Sequence, residues 1–194
     1  MYADIWTWEK CRDKLNSLRD RLGFEDRPEL AFLKLSLSLE TGELLDKIRN
    51  EPYPEAKPTV YCILSGYAEA KPTTQTQKLI AFSQVPGGMA YNVAFIRRAV
   101  KSIEHVFGNN AQRLWTAARI FDAERLSHSD CSVRILALPL VPITIILHEA
   151  TSEFAASASM LFDSTVSNFL TTEQIAILGQ PTSLRLAHAN EAIA

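Results

Sequence analysis

Four titratable side chains cluster in one stretch of the sequence, where their types could bind a metal ion or move a proton. His148 and Glu149 end an apolar run, Glu153 follows four residues later, and Asp163 comes after a second apolar segment. A zinc-binding helix of the HExxH type needs a second histidine four residues after the first, so that both side chains face one way. Position 152 is Ser152. The sequence therefore predicts no metal site here.

The acidic residues of this stretch have a structural and a chemical interpretation. Asp163 precedes Ser164 and Thr165, where its carboxylate could accept backbone N–H groups and fix a turn or begin a helix. As a general acid or base it would need a second titratable group within reach, which the sequence does not place. We expect Glu149 and Glu153 to lie in a solvated turn. No serine or cysteine occupies a nucleophile elbow, and we predict no catalytic residue.

A glycine pair, Gly87 and Gly88, separates a predicted strand from the clearest predicted helix. Exposed backbone N–H groups and the helix dipole could bind an anion at such a place. Tyr91 could add a hydroxyl, while Arg97 and Arg98 lie two turns further along the helix. The other interpretation is a tight turn, which also requires glycine. Both interpretations stay open from the sequence.

The charge of the chain is nearly balanced overall but unevenly distributed. The formal net charge is −2, so there is no general electrostatic reason to expect nucleic acid or an anionic membrane. Residues 127–194 contain two arginines, no lysine and six acidic residues. This bias is either chance or an acidic face near Glu149, Glu153 and Asp163 that meets a cation or a basic partner.

Cysteine usage and hydropathy indicate a cytoplasmic protein. Cys11, Cys62 and Cys131 are far apart and odd in number, so the chain's own cysteines predict neither a disulfide framework nor an iron–sulfur cluster. Residues 1–20 have no apolar signal-peptide core. The longest apolar run, 135–147, contains two prolines and is too short to cross a bilayer.

Hydrophobic periodicity predicts helices and strands in irregular order. The predicted helices are 4–22, 59–70, 89–107, 110–122 and a helix from Thr171 to about Leu178, opened by a capping box. The predicted strands are 30–39, 79–85, 133–137 and 141–147, the last of them central.

At 194 residues, 47% of them hydrophobic, the chain is long enough for one domain with a sizeable core. We predict a single globular domain over 1–194 of the α+β class, with a mixed sheet packed against several helices. An N-terminal helix region, 1–29, should pack on it, and residues 182–194 should form a frayed tail.

Two blocks of the sequence carry a family resemblance. They are FSQVPGGMAYNVAFIRRAV (82–100) and ALPLVPITIILHEATSEFAASASMLFDSTVSNFLTTEQIAILG (137–179), which together cover roughly half of the chain. Their order and spacing resemble an uncharacterised domain-of-unknown-function family found mainly in anaerobic bacteria and archaea. In that family the domain is often fused to a small four-cysteine iron–sulfur domain like that of corrinoid iron–sulfur proteins.

The resemblance implies an anaerobic redox or corrinoid context, with three departures. This chain lacks the four-cysteine module, so any cluster would come from an iron–sulfur or corrinoid protein partner. His148 stands where the family pattern has a tryptophan. Pro181 follows Gly179 where the family helix continues, which predicts a broken last helix.

The sequence supports two main hypotheses and a third. The first is a non-catalytic binding or accessory domain in an anaerobic redox or corrinoid-linked system. The second is a small-molecule or cofactor-binding enzyme with a site between the Pro86–Gly88 turn and the acidic turn at 149–153. The third is a purely structural subunit. The candidate ligand-binding residues are Gly87, Gly88, Tyr91, Arg97, Arg98, Glu149, Glu153 and Asp163.

Overall fold

A computed structural model describes residues 4–193 as six α-helices, nine strands and several short helical turns. The helices are α1 (Trp8–Asn16), α2 (Lys57–Tyr67), α3 (Asn92–Phe95), α4 (Lys101–Phe107), α5 (Ala111–Ala118) and α6 (Thr172–Ala192). The strands are β1 (Glu29–Phe32), β2 (Leu35–Ser38), β3 (Leu44–Asp46), β4 (Glu51–Pro52), β5 (Leu79–Ala81), β6 (Glu124–Leu126), β7 (Cys131–Leu138), β8 (Val141–His148) and β9 (Ser157–Asp163).

The strands form two separate sheets, which confirms the α+β class. The small sheet has the order β1-β2-β3-β4 and the large sheet the order β5-β9-β8-β7-β6. Every pair in both sheets is antiparallel, so the prediction of one mixed sheet is wrong in that detail. Short connections such as the one between β7 and β8 favour antiparallel pairing, because parallel neighbours need a long crossover. Strand β8 lies between β7 and β9 and is central, as predicted.

The predicted strand over 30–39 is a hairpin of two strands. Strands β1 and β2 pair from Glu29 opposite Ser38 to Phe32 opposite Leu35. Leu33 and Lys34 make the turn with φ of 48° and 54°. Two successive positive φ values are typical of a type I′ turn, which usually contains Asn or Gly. The turn was missed because neither residue is of that kind.

The C-terminal helix is much longer than predicted. Helix α6 starts at the predicted capping box, in which the Gln174 amide N–H donates to Thr171 Oγ1 at 3.3 Å and the Thr171 N–H donates to Gln174 Oε1 at 3.0 Å. It then continues through Pro181 to Ala192, so the predicted break and the predicted frayed tail over 182–194 are wrong. A proline inside a helix costs about 3 kcal/mol. Burial of residues such as Leu186 beyond it offsets that cost.

The N-terminal helix is shorter than predicted, but its apolar residues are still buried. Helix α1 ends at Asn16, and a series of turns follows instead of a helix to residue 22. Leu15, Leu18 and Leu22 are nevertheless buried in the core. Leu22 has a φ of 53°, which a continuing right-handed helix does not allow. Residues 1–3 of the predicted N-terminal region, and residue 194 of the predicted tail, lie outside the described residues.

The predicted helix over 89–107 is a continuous run of helical segments of different types. It starts as a 3₁₀ turn at Gly88–Tyr91, continues as α3, becomes a π-helical turn at Ile96–Val100 and ends as α4. We call residues 88–107 the segmented helix. Its predicted buried face, which includes Phe95 and Phe107, is confirmed.

One apolar core contains residues from both sheets and all six helices. Helix α6 contacts α2, α4, α5 and the π-helical turn, so it runs along the middle of the helical layer. Within residues 4–193, no helix has both the length and the apolar character needed to cross a membrane.

Candidate functional site

A cleft of about 730 Å³ lies between the small sheet, α2, the segmented helix and α6. Each of these elements contributes apolar side chains to its walls: Leu35 from β2, Ile63 from α2, Phe95 from α3, and Ile177 and Leu184 from α6. The cleft therefore forms where four elements meet without filling the space between them. A volume of this size is typical of sites for cofactors and other small molecules.

Three charged side chains stand at the rim of the cleft. Glu55, Arg98 and Glu173 line it, and all three residues are exposed. None of them makes an ion pair or a side-chain hydrogen bond with another described residue. The fold therefore leaves two carboxylates and one guanidinium at the rim for interactions with something else.

Two phenols accompany these charges. Tyr91 is 63% exposed, whereas Tyr53 is half-buried. Burial raises the pKa of Tyr53, and the neighbouring Glu55 carboxylate adds to that rise. The Tyr53 hydroxyl is therefore protonated at neutral pH and can donate a hydrogen bond into the cleft.

Both long helices beside the cleft are irregular where they border it. Pro181 lines the cleft and has no N–H, so the carbonyl of Ile177 loses its usual helical donor. On the opposite wall, Arg98 belongs to the π-helical turn Ile96–Val100. π-helical turns occur frequently at functional sites. The two irregularities shape this cavity together.

The two irregular helices are also tied directly to each other. The Ser183 hydroxyl donates to the Ala99 carbonyl at 2.7 Å. Next to it, Gly179 packs so closely that a Cβ atom there would lie 2.5 Å from Cε2 of Phe95. This close approach fixes the distance between the two helical walls of the cleft.

A buried ion pair forms the end of the cleft that faces the small sheet. Arg185 lines the cleft and pairs with Asp46, and the two side chains are 1% and 2% exposed. The Arg185 guanidinium also donates to the carbonyls of Leu33 at 3.0 Å and Lys34 at 3.2 Å. These bonds hold α6 against the β1–β2 turn.

The Asp46 carboxylate of this pair also accepts hydrogen bonds from the backbone. Asp46 accepts N–H groups from Ile48 at 2.8 Å and Arg49 at 3.2 Å. Burial alone would raise the pKa of Asp46, but the hydrogen bonds from Arg185 and these two amides outweigh it and lower the pKa. The carboxylate is therefore ionised and fully used by the fold.

His188 completes the buried group. Its Nδ1 lies 3.3 Å from Nη1 of Arg185, and its ring is 6.4 Å from the ring of Tyr53. Burial lowers the pKa of His188, and the positive charges of Arg49 and Arg185 lower it further. The imidazole is therefore neutral at neutral pH.

Only two of the eight predicted ligand-binding residues line this cleft, Tyr91 and Arg98. Arg97 is exposed beside it but does not contribute to the lining. Gly87 has a φ of 76°, and a Cβ atom on Gly88 would lie 2.0 Å from the Phe82 carbonyl oxygen. Both glycines are therefore required by the turn itself.

The two acidic residues of the 149–153 turn lie elsewhere. The Glu149 carboxylate accepts the N–H of Ala111 at the start of α5, where the helix dipole favours a negative charge. Glu153 is exposed, and its N–H donates to Thr151 Oγ1 at 3.3 Å. Thr151 and Glu153 thus form a solvated turn, and neither acidic residue lines the cleft.

Asp163 is buried at the end of β9 and holds the preceding loop in place. Its carboxylate accepts N–H groups from Gln77 at 2.6 Å and Thr165 at 2.9 Å, and the Thr165 hydroxyl at 2.6 Å. Burial would raise the pKa of Asp163, but these hydrogen bonds outweigh it and lower the pKa. The acidic turn at 149–153 connects β8 to the other end of β9, where His148 pairs with Ser157.

Possible metal ligands are dispersed over the described part of the chain. Residues 4–193 contain no group of three His, Cys, Asp or Glu side chains that could hold a metal ion. Cys11, Cys62 and Cys131 are each buried, and no disulfide joins them to one another. Burial raises the pKa of the Cys131 thiol, which therefore stays protonated.

Sequence reasoning missed most of the residues that form the cleft. Tyr53, Glu55 and Glu173 carry no motif, and the chain positions that meet here are far apart. Pro181 was the one available signal, since a helix-interior proline often marks a functional kink. The sequence pattern, in contrast, predicts a helix end at this proline.

Comparison with known proteins adds the family. No curated protein matches the chain, and no solved structure matches it. One family model does match, over residues 25–184, which include every strand and the first half of α6. Because this match covers most of the chain, the protein belongs to the family described as Domain of unknown function (DUF3786).

Proposed function

We propose that this protein is a non-catalytic binding domain that holds a small, largely apolar ligand in the cleft. The observation that supports this most strongly is a space of about 730 Å³ with apolar walls and three charged side chains at its rim that have no partner among residues 4–193. Ligand sites combine these features: apolar walls supply contact area, and a few polar groups fix orientation.

The rim defines what the ligand should carry. Arg98 offers a planar fork of N–H donors that suits a carboxylate, sulfonate or phosphate group. Glu55 and Glu173 are available to an amine or a hydroxyl, and the Tyr53 phenol can donate a hydrogen bond. A flat or aliphatic body with one anionic group uses both the apolar walls and Arg98.

The shape of the cleft is fixed before any ligand arrives, which favours binding. The Ser183–Ala99 hydrogen bond and the close packing of Gly179 on Phe95 set the spacing of the helical walls. The Arg185–Asp46 pair fixes the end that faces the small sheet. A preformed site loses little conformational entropy when it is filled.

The second candidate is an enzyme with a site between the Pro86–Gly88 turn and the acidic turn at 149–153. The structure gives it less support, because Glu149 already accepts the N–H of Ala111 and the Pro86 carbonyl accepts the Thr172 hydroxyl at 2.6 Å. Of the two acidic residues of that turn, Glu149 and Glu153, only Glu153 has a carboxylate without a hydrogen bond to another residue of the described range 4–193.

The family resemblance extends the proposal to a biological setting. The protein would serve an anaerobic redox or corrinoid-linked system in the cytoplasm, next to an iron–sulfur or corrinoid partner. Because Cys11, Cys62 and Cys131 are buried and far apart in the sequence, the partner would hold any cluster in this system. The absorption spectrum of protein purified without oxygen tests this setting: a corrinoid or cluster chromophore carried by the protein or a co-purifying partner supports it, and colourless preparations that contain the partner contradict it.

The cleft itself is tested with anilinonaphthalene sulfonate (ANS), an apolar fluorophore that carries one anionic group. Ala176 lines the cleft, whereas Ala187 is an equally half-buried alanine of α6 that does not. We expect saturable binding of one ANS molecule per protein. Ala176→Trp should fill the cleft and weaken that binding at least about tenfold, and Ala187→Trp should leave it unchanged.

Thermal unfolding of both variants checks that each is folded before ANS is added. Equal ANS affinities of the two folded tryptophan variants would contradict the proposed site. Unsaturable binding to the wild-type protein would do the same, because it indicates general surface adsorption.

A further inference from the structure

The segmented helix presents an apolar stripe to solvent on the side opposite its buried face. Met89, Val93 and Ile96 are 72%, 81% and 37% exposed. Val93 and Ile96 are three residues apart, which places them on one face of the helix, and Met89 lies in the 3₁₀ turn that precedes them. The opposite face carries Phe95 and Ala99, which are buried. Single exposed apolar residues are ordinary, but a contiguous stripe marks an interaction surface.

Two arginines border this stripe and have no partner. Arg97 and Arg98 are adjacent and exposed, and neither makes an ion pair or side-chain hydrogen bond with any residue between 4 and 193. Several other cations of the protein do form ion pairs, such as Lys101 with Glu104 on the same helix and Arg134 with Glu124 on the large sheet. We call Met89, Val93, Ile96, Arg97 and Arg98 the stripe face.

We propose that the stripe face docks a partner protein through a segment with apolar side chains flanked by carboxylates, such as an acidic amphipathic helix. Charge complementarity selects the partner, because the guanidinium groups of Arg97 and, while the cleft is empty, Arg98 can form bidentate bonds with carboxylates. Met and Arg are enriched in protein interfaces, and Arg is frequent among residues that dominate binding energy. The apolar stripe supplies the contact area between the charges.

A membrane fits this surface less well than a protein does. Recognition of anionic lipids by surface charge uses clusters of about four to eight Lys or Arg residues. The stripe face has two unpaired arginines, and the nearby Lys101 is already paired with Glu104. The fit is therefore to a compact pair of carboxylates.

The test uses two fluorescein-labelled helical peptides of about 20 residues, long enough to form helices in solution. Both have the same leucine positions, and one carries glutamate where the other carries lysine. Fluorescence anisotropy at low salt should show that the wild-type protein binds the glutamate peptide at least tenfold more tightly than the lysine peptide. Added salt should weaken this binding.

Two substitutions outside the cleft lining separate this surface from the proposed ligand site. Arg97→Glu should weaken binding of the glutamate peptide at least tenfold and improve binding of the lysine peptide. Val93→Ser should weaken binding of both peptides. Neither residue lines the cleft, so ANS affinity should not change. Conversely, Ala176→Trp should affect ANS and not the peptides, so either proposal can fail without the other.

Matched controls come from elsewhere on the surface. Arg119 is an exposed arginine without an ion pair in the described structure, and Leu136 is 57% exposed on β7. Arg119→Glu and Leu136→Ser should bind both peptides as the wild-type protein does. Equal effects of Arg97→Glu and Arg119→Glu would show that only net charge matters and would overturn the proposal.

Three further outcomes would also overturn it. The first is failure of the wild-type protein to bind the glutamate peptide. The second is that the wild-type protein sediments with vesicles of phosphatidylglycerol and phosphatidylcholine, and that Arg97→Glu abolishes this sedimentation but leaves peptide binding unchanged. The third is a concentration-dependent oligomer, detected by light scattering, that dissociates in both the Arg97→Glu and the Glu153→Lys variants. That result would mean that the stripe face binds a second copy of the chain.

Discussion

Two groups of charged residues lie near α6 and have opposite surroundings. Arg185, Asp46 and His188 are buried where α6 meets the small sheet, and the ion pair satisfies its hydrogen-bonding groups within the fold. At the cleft rim, Arg98 and Glu173 are exposed and have no described partner. The charges of the first group stabilise the fold through their pairing, whereas those of the second group form no such pairs within the described structure.

The difference separates structural charge from charge available for binding. A buried charge must be paired, because leaving it alone in the interior is very costly. An exposed charge costs little whether or not it is paired, so the fold can leave it available for binding. Asp163 and Glu149 belong with the first group, because the fold uses their carboxylates to hold a loop and a helix start.

The largest expected effect comes from removing one partner of the buried ion pair. Asp46→Ala should lower the free energy of unfolding by about 3–5 kcal/mol, because Arg185 would remain charged and unpaired in the interior. Urea unfolding measures the loss. Glu124→Ala, which breaks the exposed Arg134–Glu124 pair, is the control and should cost less than about 1 kcal/mol. Similar losses of unfolding free energy in the two variants would contradict the distinction between buried, structural charges and exposed charges.

A smaller effect of opposite sign is expected at the cleft. Pro181→Ala restores the missing helical N–H and should raise the free energy of unfolding by about 1–3 kcal/mol. The restored N–H can bond to the Ile177 carbonyl, and the resulting shift of Ile177 should weaken ANS binding. Pro52→Ala on the exposed strand β4 is the matched control and should change both quantities little. A Pro181→Ala variant that is less stable and has an unchanged ANS affinity would show that Pro181 does not shape the cleft.

The buried group should also make stability depend on pH. Burial and the charges of Arg49 and Arg185 lower the pKa of His188 below 6.5. Well above pH 6.5 the imidazole is neutral in both the folded and the unfolded protein, so its protonation does not reduce the free energy of unfolding there. As the pH falls below 6.5 the unfolded chain binds a proton before the folded protein does, so the free energy of unfolding decreases.

His188→Gln tests this dependence. The variant should lose stability less steeply than the wild-type protein as the pH falls below 6.5, measured by urea unfolding at a series of pH values. His105→Gln, at an exposed histidine of α4, should keep the wild-type slope. Identical slopes for all three proteins would mean that His188 does not titrate differently in the folded state.

The smallest effect on stability is expected at the rim. Arg98→Ala should change the free energy of unfolding by no more than about 0.5 kcal/mol, as is usual for exposed residues without partners. It should weaken ANS binding, because the sulfonate loses its cationic partner. Glu55→Ala removes a carboxylate from the same rim and should not weaken ANS binding. Loss of stability in Arg98→Ala comparable to that of Asp46→Ala would place Arg98 in the structural group.

Local patterns predicted the elements that are locally determined. The buried face of the segmented helix, the Thr171 capping box and the central position of β8 follow from periodicity, side-chain chemistry and continuous apolar character. The turn at Leu33 and Lys34 was not predictable in this way, because its left-handed backbone is imposed by strand pairing and by the bond from Arg185 to the Leu33 carbonyl.

The candidate site was largely beyond local patterns because it is made by tertiary contacts. Helix α6 passes through Pro181 since burial and the distant Asp46 stabilise its second half. The cleft joins Tyr53, Arg98 and Glu173 from three separate parts of the chain. Arg98 was found through the glycine turn that precedes its helix, whereas Tyr53 and Glu173 had no signal.

Methyl NMR spectra recorded during an ANS titration test most directly whether the cleft is the binding site. Ile63 and Ile177 line the cleft, whereas Ile143 and Ile145 are fully buried in β8 and do not. We predict saturable chemical-shift changes at the first pair and small changes at the second. Changes confined to methyl groups outside the cleft, with Ile63 and Ile177 unmoved, would contradict the proposal that this protein binds its ligand there.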